Sequence, residues 1–404
     1  MEALTMTESV TPAVMATRMP RRLIQLVPRF RPDADGVGEC ALTFGNALLK
    51  NYGILSDFVA YNSSRPHSTL EMPDPFPHTL QRLGGGKAEP LNRALDALVA
   101  NSSEPPVLLL HYVPYGYSPD GIPRWLPDAV ERFLSRGGRF LGLFHELFAT
   151  GSFPSRTFFT SWLQRRIFRS LLAHSEAAFT SNEEFLTAIE PENKNRRSVS
   201  LVGICSNVGE PERPRPLASR RRRLAVFGQF FGRKNLYSRY LPVLRNVANH
   251  LGIEEIADIG PVDEPDWMRK HVYLPLGSIV HSYGTQPAAA TSVLLEDSVL
   301  GVVAYRYAMR WKSGIIAAYQ AHAMPVLLLP HKDELEPEPP EPGDWCFSTD
   351  QLLALDPGSL VDMQNAATAG HRSYQRFRSS HSMVETILPA LLQQTPLQLK
   401  QRDR

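Results

Sequence analysis

The chain has 404 residues, a hydrophobic share of 43% and 43 basic against 41 acidic residues, for a net charge of +2. That length exceeds one ordinary core and suits two domains of about 200 residues each. The charge balance argues against a dedicated nucleic-acid binder, whose binding domain carries a marked basic excess.

In chain order, residues 1–20 mix acids and hydroxyls without a continuous apolar stretch, so they read as a flexible leader rather than a signal peptide. "RLIQLVPRF" (Arg22–Phe30) is an apolar run of strand length. "DGVGECALTFGNALLKNYG" opens on Gly36 and Gly38 and becomes helically periodic through Leu42, Ala47, Leu48 and Leu49 before stopping at Gly53. "DFVAYN" (Asp57–Asn62), "PVLLLHYVPYGY" (Pro106–Tyr117) and "RFLGLFHE" (Arg139–Glu146) read as strands, and "LPDAVERFLSRGG" (Leu126–Gly138) as a helix. A helix is expected over Thr157–His174, then the strand "EAAFTSN", a helix at Glu183–Ile189 and the strand "SVSLVGICSN". Strands alternating with helices predict parallel sheet covered on both faces.

"GEPERPRPLASRRRR" (Gly209–Arg223) interrupts this pattern. Its three prolines and six arginines predict a solvated linker between domains 21–208 and 224–378. The alternation then restarts with "LAVFGQ", the helix "LYSRYLPVLRNVANHLG", "EEIADIG", "SVLGVVAY", the helix "SGIIAAYQAHA" and "MPVLLL". "DELEPEPPEPGDW" reads as an acidic surface loop. Helical stretches near Pro357–Phe377 and Ser382–Leu392 follow, and residues 379–404 read as a terminal helix and tail. The fold class is thus α/β, two Rossmann-like domains facing across a cleft, and ligands in such sheets bind beyond the carboxyl ends of the strands.

Cys40, Cys205 and Cys346 are far apart and odd in number, with no C-x-x-C pair or zinc spacing, which fits a reducing, cytoplasmic setting. No run of about 18 apolar residues is present to span a bilayer.

Several constellations could carry chemistry. Gly36 and Gly38, between a strand and a helix, either let backbone approach a ligand or simply make a tight turn. Asp33-Ala34-Asp35 spells a D-x-D, although an Asx turn fits the same residues. His145-Glu146 begins like H-E-x-x-H, but Ala149 at the fifth position excludes that zinc pattern. His145 nevertheless ends a buried strand. It is either a core histidine bonded to backbone or a neutral imidazole donating to a sugar hydroxyl or a developing charge.

In "VFGQFFGRKN", Arg233 and Lys234 follow a strand and suit charge-assisted contact to phosphate. In "RWKSGIIAAYQAHAMPVLLL", Arg310 and Lys312 precede a helix with Ser313 as N-cap and Gly314 leaving room for close approach. A helix N-terminus resembles roughly half a positive charge, so cations added there are unfavourable unless an anion compensates. A diphosphate would compensate. "SRTFFTSWLQRRIFRSLLA" (Ser155–Ala173) offers an apolar stripe of Phe158, Phe159, Trp162, Leu163, Ile167 and Leu171. Arg156, Arg165, Arg166 and Arg169 lie outside it, so it suits either a core-facing helix or one lying on an anionic membrane.

Taken together, "DGVGECALTFGNAL", "GLFHEL", "AAFTSNEEF", "VFGQFFGRKN" and "SGIIAAYQAHAMPVLL" resemble, in order, the motifs of the GT-B glycosyltransferases, in particular the group 1 family (retaining, nucleotide-sugar-dependent) of bacteria. The resemblance covers most of residues 22–330. It implies a nucleotide-sugar donor held mainly by the second domain and a glycan or lipid-linked acceptor held mainly by the first. No obligatory metal or other cofactor is implied. By position, Gly36 and Gly38 would approach donor phosphate or acceptor, His145 the transferred sugar, and Arg233 and Lys234 the diphosphate.

One departure stands out. Two glutamates eight positions apart are usual in the family, and Arg310 and Ala318 occupy those places here. The expected function is a glycosyltransferase of polysaccharide or glycoconjugate synthesis. The alternative is a non-catalytic relative that binds in a glycan assembly machine.

Overall fold

The computed structural model describes residues 20–30, 36–62, 76–149, 156–331, 345–356 and 360–392. Asp33, Asp35, residues 333–344 and the side chains of Arg156, Phe158 and Phe159 lie outside that description.

The first sheet has seven strands: β1 (Arg22–Val27), β2 (Leu55–Ala60), β3 (Thr79–Arg82), β4 (Val107–Tyr112), β5 (Arg139–Phe144), β6 (Ala177–Thr180) and β7 (Val199–Leu201). The second has six: β8 (Arg223–Phe227), β9 (Glu255–Ile259), β10 (Val280–Gly284), β11 (Leu300–Ala304), β12 (Val326–Leu329) and β13 (Cys346–Phe347). Seven helices matter below: α1 (Gly36–Tyr52), α2 (Arg156–His174), α3 (Glu183–Ile189), α4 (Phe230–His250), α5 (Gly314–Ala321), α6 (Val361–Phe377) and α7 (Ser380–Leu392).

Both sheets are parallel throughout, ordered β3-β2-β1-β4-β5-β6-β7 and β10-β9-β8-β11-β12-β13. Strand order reverses between β1 and β4 and again between β8 and β11. Such reversals open a crevice at the carboxyl ends of the strands.

The apolar runs form strands because helices cover both faces. All six residues of β4 and of β5 are buried. Alternate residues feed opposite cores: Leu108, Leu110 and Phe140 enter one, and Leu109, Leu141 and Leu143 the other. That second core is completed from the far end of the chain. Met383, Val384 and Ile387 of α7 pack with Leu23 and Phe44, so α7 returns to the first lobe.

The outgoing and returning segments touch at Gly203, where a Cβ would collide with the carbonyl of Phe377. Glu210 fastens the crossing, accepting from the Tyr374 hydroxyl and from the Ser380 amide at 2.8 Å.

Three expectations need correction. The helix expected from Leu236 starts earlier: α4 begins at Phe230, so Arg233 and Lys234 are its fourth and fifth residues rather than lying ahead of it. The arginine-rich linker is only partly solvated. Arg220 is buried and donates to the carbonyls of Ser298 and His322, while buried Arg223 pairs with Glu255 at 2.9 Å and Asp297 at 3.3 Å. In α2 the inward face carries Gln164, Ile167, Phe168, Leu171 and Leu172, whereas Trp162 is 60% exposed beside exposed Arg166. Phe168 and Leu172 satisfy the helical period that Trp162 was expected to share.

Among the described residues, no helix is long and apolar enough to cross a membrane.

Candidate active site

The carboxyl ends of the two sheets face each other across a cavity of 320 Å³. The first lobe contributes Gly36 at the start of α1, and His145 and Glu146 immediately after β5. The second contributes Lys312 and Gly314 at the start of α5, and Asn207 sits on the segment between the lobes. Two helix N-termini therefore open on one space, each presenting amides without intrahelical acceptors.

Four residues singled out from sequence converge here: Gly36, His145, Lys312 and Gly314. A Cβ on Gly36 or Gly314 would meet nothing within 4 Å, so both leave open space beside backbone amides. Ser313 caps α5, its hydroxyl accepting from the Ile316 amide at 3.2 Å. Gly38 does a different job. A Cβ there would collide with the carbonyl of Arg29, so its smallness seats α1 on the chain leaving β1.

Three of the cations already have carboxylate partners and are not unsatisfied charges awaiting an anion. Arg233 is 2% exposed, paired with Asp258, and donates to the carbonyls of Gly228 (3.0 Å) and Pro261. Lys234 bonds both Glu264 carboxylate oxygens at 2.7 Å and lies 5.1 Å from the Trp267 ring. Arg310 sits 3.8 Å over the Tyr307 ring and donates to the Tyr307 carbonyl at 2.8 Å. Lys312 faces the cavity but has a partner in Glu146 at 3.5 Å. Carboxylates from other elements thus offset Arg233, Lys234 and Lys312, while Arg310 rests against the Tyr307 ring and carbonyl.

Residues not singled out from sequence complete the site. Arg378 is 1% exposed and ties the lobes together, donating to Ser313 O at 2.7 Å, Gln320 Oε1 at 3.0 Å and Ile204 O at 3.3 Å. Burial pushes its pKa down to about 10, and its bonds among the described residues go to carbonyl and amide oxygens rather than a carboxylate. The Asn207 Oδ1 is buried at the cavity without a hydrogen-bond partner among the described residues. Cys40 and Cys205, distant in sequence, both reach the wall of this cavity with sulfurs 3.5 Å apart as free thiols.

A second crevice of 200 Å³ lies at the strand-order reversal between β8 and β11, lined by Phe227, Phe231, Tyr305, Ile315 and His331. Adjacent residues of α5 divide the two spaces: Gly314 lines the cavity and Ile315 the crevice.

The fold recurs in solved structures. Sucrose-phosphate synthase from Thermosynechococcus elongatus superposes with a TM-score of 0.62 at 12% identity, over 92% of this chain and 98% of that one. HepE of Anabaena, solved in complex with UDP, gives 0.59 at 11% identity over 92% and 99%. The UDP-forming α,α-trehalose-phosphate synthase from Burkholderia xenovorans, solved with glucose-6-phosphate, gives 0.58 at 12% over 93% and 100%. The fold is GT-B. The resemblance read from the sequence holds at that level. No protein-family model matches the chain, and no curated protein does either. Within the GT-B frame, the cavity is lined by both lobes, whereas the crevice is lined by the second lobe alone.

Proposed function

We infer that this protein is a glycosyltransferase. It moves a sugar from a nucleotide-sugar donor to a glycan or lipid-linked acceptor in polysaccharide or glycoconjugate synthesis, with no obligatory metal. The observation that carries this reading is the position of the α5 N-terminus between the two spaces. A diphosphate resting on the Gly314 and Ile315 amides would send its nucleoside into the crevice lined by Phe227 and Phe231. Its sugar would then point into the cavity, toward His145 and Asn207. Lys312 would share its charge between Glu146 and the leaving diphosphate, whose developing charge the helix amides stabilise. In HepE the bound molecule is UDP, which supports a nucleoside diphosphate product.

The acceptor belongs to the first lobe. Trp162 and Arg166, exposed together on α2, support a peripheral contact with an anionic membrane surface on the cytoplasmic side. Co-sedimentation with vesicles that did not rise with anionic lipid would remove that part of the reading.

The decisive experiment is calorimetric titration with nucleoside diphosphates, followed by transfer assays across common nucleotide sugars with and without a chelator. Micromolar binding and chelator-insensitive turnover are expected. Absence of binding by every nucleoside diphosphate would refute the reading. A second reading, a non-catalytic binding protein of a glycan assembly machine, is favoured by Arg310 and Ala318, which stand where the resembled family carries glutamates. It predicts nucleotide or glycan binding without turnover of any donor.

A further inference from the structure

The middle of the first sheet contains a row of polar side chains crossing four neighbouring strands. Ser56 lies on β2, Gln25 on β1, His111 on β4, and His145 follows β5. Ser56, Gln25 and His111 are fully buried, and only His145, at the end of the row, touches the cavity. The contacts are continuous. Gln25 Nε2 donates to Ser56 Oγ at 2.8 Å, Gln25 Oε1 lies 3.0 Å from His111 Nε2, and His111 Nδ1 lies 3.1 Å from His145 Nε2. Four polar groups inside an apolar layer are costly unless each is satisfied, so the row is a fully connected network or a liability.

The polarity of the row follows from the amide orientation, Nε2 toward Ser56 and Oε1 toward His111. In that orientation Gln25 Oε1 only accepts, so His111 Nε2 carries the hydrogen. A neutral imidazole protonated at Nε2 presents Nδ1 as a lone pair, and His145 Nε2–H must then donate to it. The two rings are within 15° of coplanar, as a hydrogen bond lying in both ring planes requires. His145 is left with Nδ1 unprotonated and without a partner among the described residues. Burial, with Lys312 nearby, holds the His145 pKa down to about 3, and burial holds that of His111 well below the usual range, so both rings stay neutral.

We propose that His111 and Gln25 are positioning residues that lock His145 in its Nε2–H tautomer, so that the cavity meets a hydrogen-bond acceptor selecting a ligand hydroxyl. This reverses the sense expected from sequence, in which His145 donates. An acceptor at this point favours a sugar hydroxyl and disfavours a carbonyl, carboxylate or phosphate oxygen, whose lone pairs would face its own. The identity of that hydroxyl as the sugar's rests on the proposed transfer reading. The tautomer does not.

The test is long-range nitrogen–proton correlation on the full-length protein with nitrogen-15 histidine, the His145 signals being assigned by their loss in His145→Gln. Ligand-free protein at neutral pH is expected to show His145 protonated at Nε2 alone. An Nδ1–H pattern or an imidazolium pattern would overturn the proposal without any variant.

In His111→Phe the acceptor is lost and the His145 pattern should become a mixture of tautomers, whereas His111→Asn, which keeps a carbonyl oxygen near the Nδ1 position, should restore the Nε2–H form. If the pattern is unchanged in a folded His111→Phe, the locking role is refuted. With a donor in hand, kcat/KM should fall about tenfold in His111→Phe, one neutral hydrogen bond's worth, while calorimetric affinity for the nucleoside diphosphate stays unchanged. A failure of nucleotide binding in the wild-type protein would strike the transfer reading and leave the tautomer result standing.

Discussion

Lys312 of the second lobe and Glu146 of the first meet at 3.5 Å across the cavity, with 24% and 41% of their side chains exposed. A pair this accessible contributes at most about 1 kcal/mol and is screened by salt. A diphosphate, with more charge than one carboxylate, would therefore compete for Lys312 at little cost. Glu146→Gln should tighten nucleoside diphosphate binding by up to about fivefold, and Lys312→Ala should weaken it by a similar factor. Calorimetry at low and high salt checks both, since the differences should shrink as salt rises. Equal affinities for all three proteins at low salt would place the diphosphate elsewhere.

Arg233 is expected to matter for stability rather than for the donor. Its guanidinium is buried against Asp258, which also accepts from the hydroxyls of Tyr237 at 2.9 Å and Tyr273 at 3.2 Å. Arg233→Ala strands a buried carboxylate and should cost about 3–5 kcal/mol. Arg233→Lys should recover little, because an ammonium cannot reach Asp258 and the carbonyls of Gly228 and Pro261 in one plane. Denaturant midpoints, with unchanged slope, measure the loss. A stable Arg233→Ala protein with weakened nucleotide binding would restore the role that family position assigns.

The contrast between these two cations shows what the sequence could and could not convey. Periodicity and apolar runs made the two lobes legible, since "VLLLHY" and "RFLGLF" have to be buried on both faces. The position of His145 at a strand end likewise followed from its place after an apolar run. Partners could not be read in the same way. Asp258 and Glu264 lie 25 and 30 residues from the cations they neutralise, and Asp297 lies 74 from Arg223. A local pattern of basic residues therefore looked unsatisfied when tertiary structure had already paired it. Gln25 and His111 did leave a signal, each a polar residue flanked on both sides by buried apolar residues of its strand. The return of α7 to the first core left none, because amphipathicity says that a helix needs a surface and not which one.

Buried neutral histidines predict loss of stability in mild acid. Burial lowers the His322 pKa to about 4 and that of His145 to about 3, both from a usual 6.5. The unfolded chain then binds more protons than the folded one below the usual value. Stability from these groups is complete above about pH 6.5 and is lost progressively as pH falls toward the folded values. The His322 Nδ1–H donates to Ala318 O at 2.7 Å, so Nε2 accepts from the Ser292 hydroxyl at 2.7 Å, a bond whose direction protonation would reverse. Between pH 6.5 and 5 the melting temperature should fall, and it should fall less steeply in His322→Gln. Identical slopes for the two proteins would show that His322 does not titrate on unfolding.

Ala323 holds a conformation that its side chain opposes. It follows α5 with φ of 47°, in the left-handed region, where a Cβ is unfavourable. The helix ends there by a paired closure, Ala323 N donating to Gln320 O at 3.1 Å and Met324 N to Tyr319 O at 2.9 Å. That closure aims the chain into β12. Glycine relieves about 1–2 kcal/mol of backbone strain at such a position, offset by about 0.5–1 kcal/mol of added freedom in the unfolded chain. Ala323→Gly should therefore stabilise the protein by roughly 0.5–1 kcal/mol, read as a higher denaturant midpoint at unchanged slope. Ala323→Val should act in the opposite direction, because a β-branched side chain is the least tolerant of positive φ. Were the glycine variant less stable than the parent, the methyl group of Ala323 would be contributing packing that outweighs its strain.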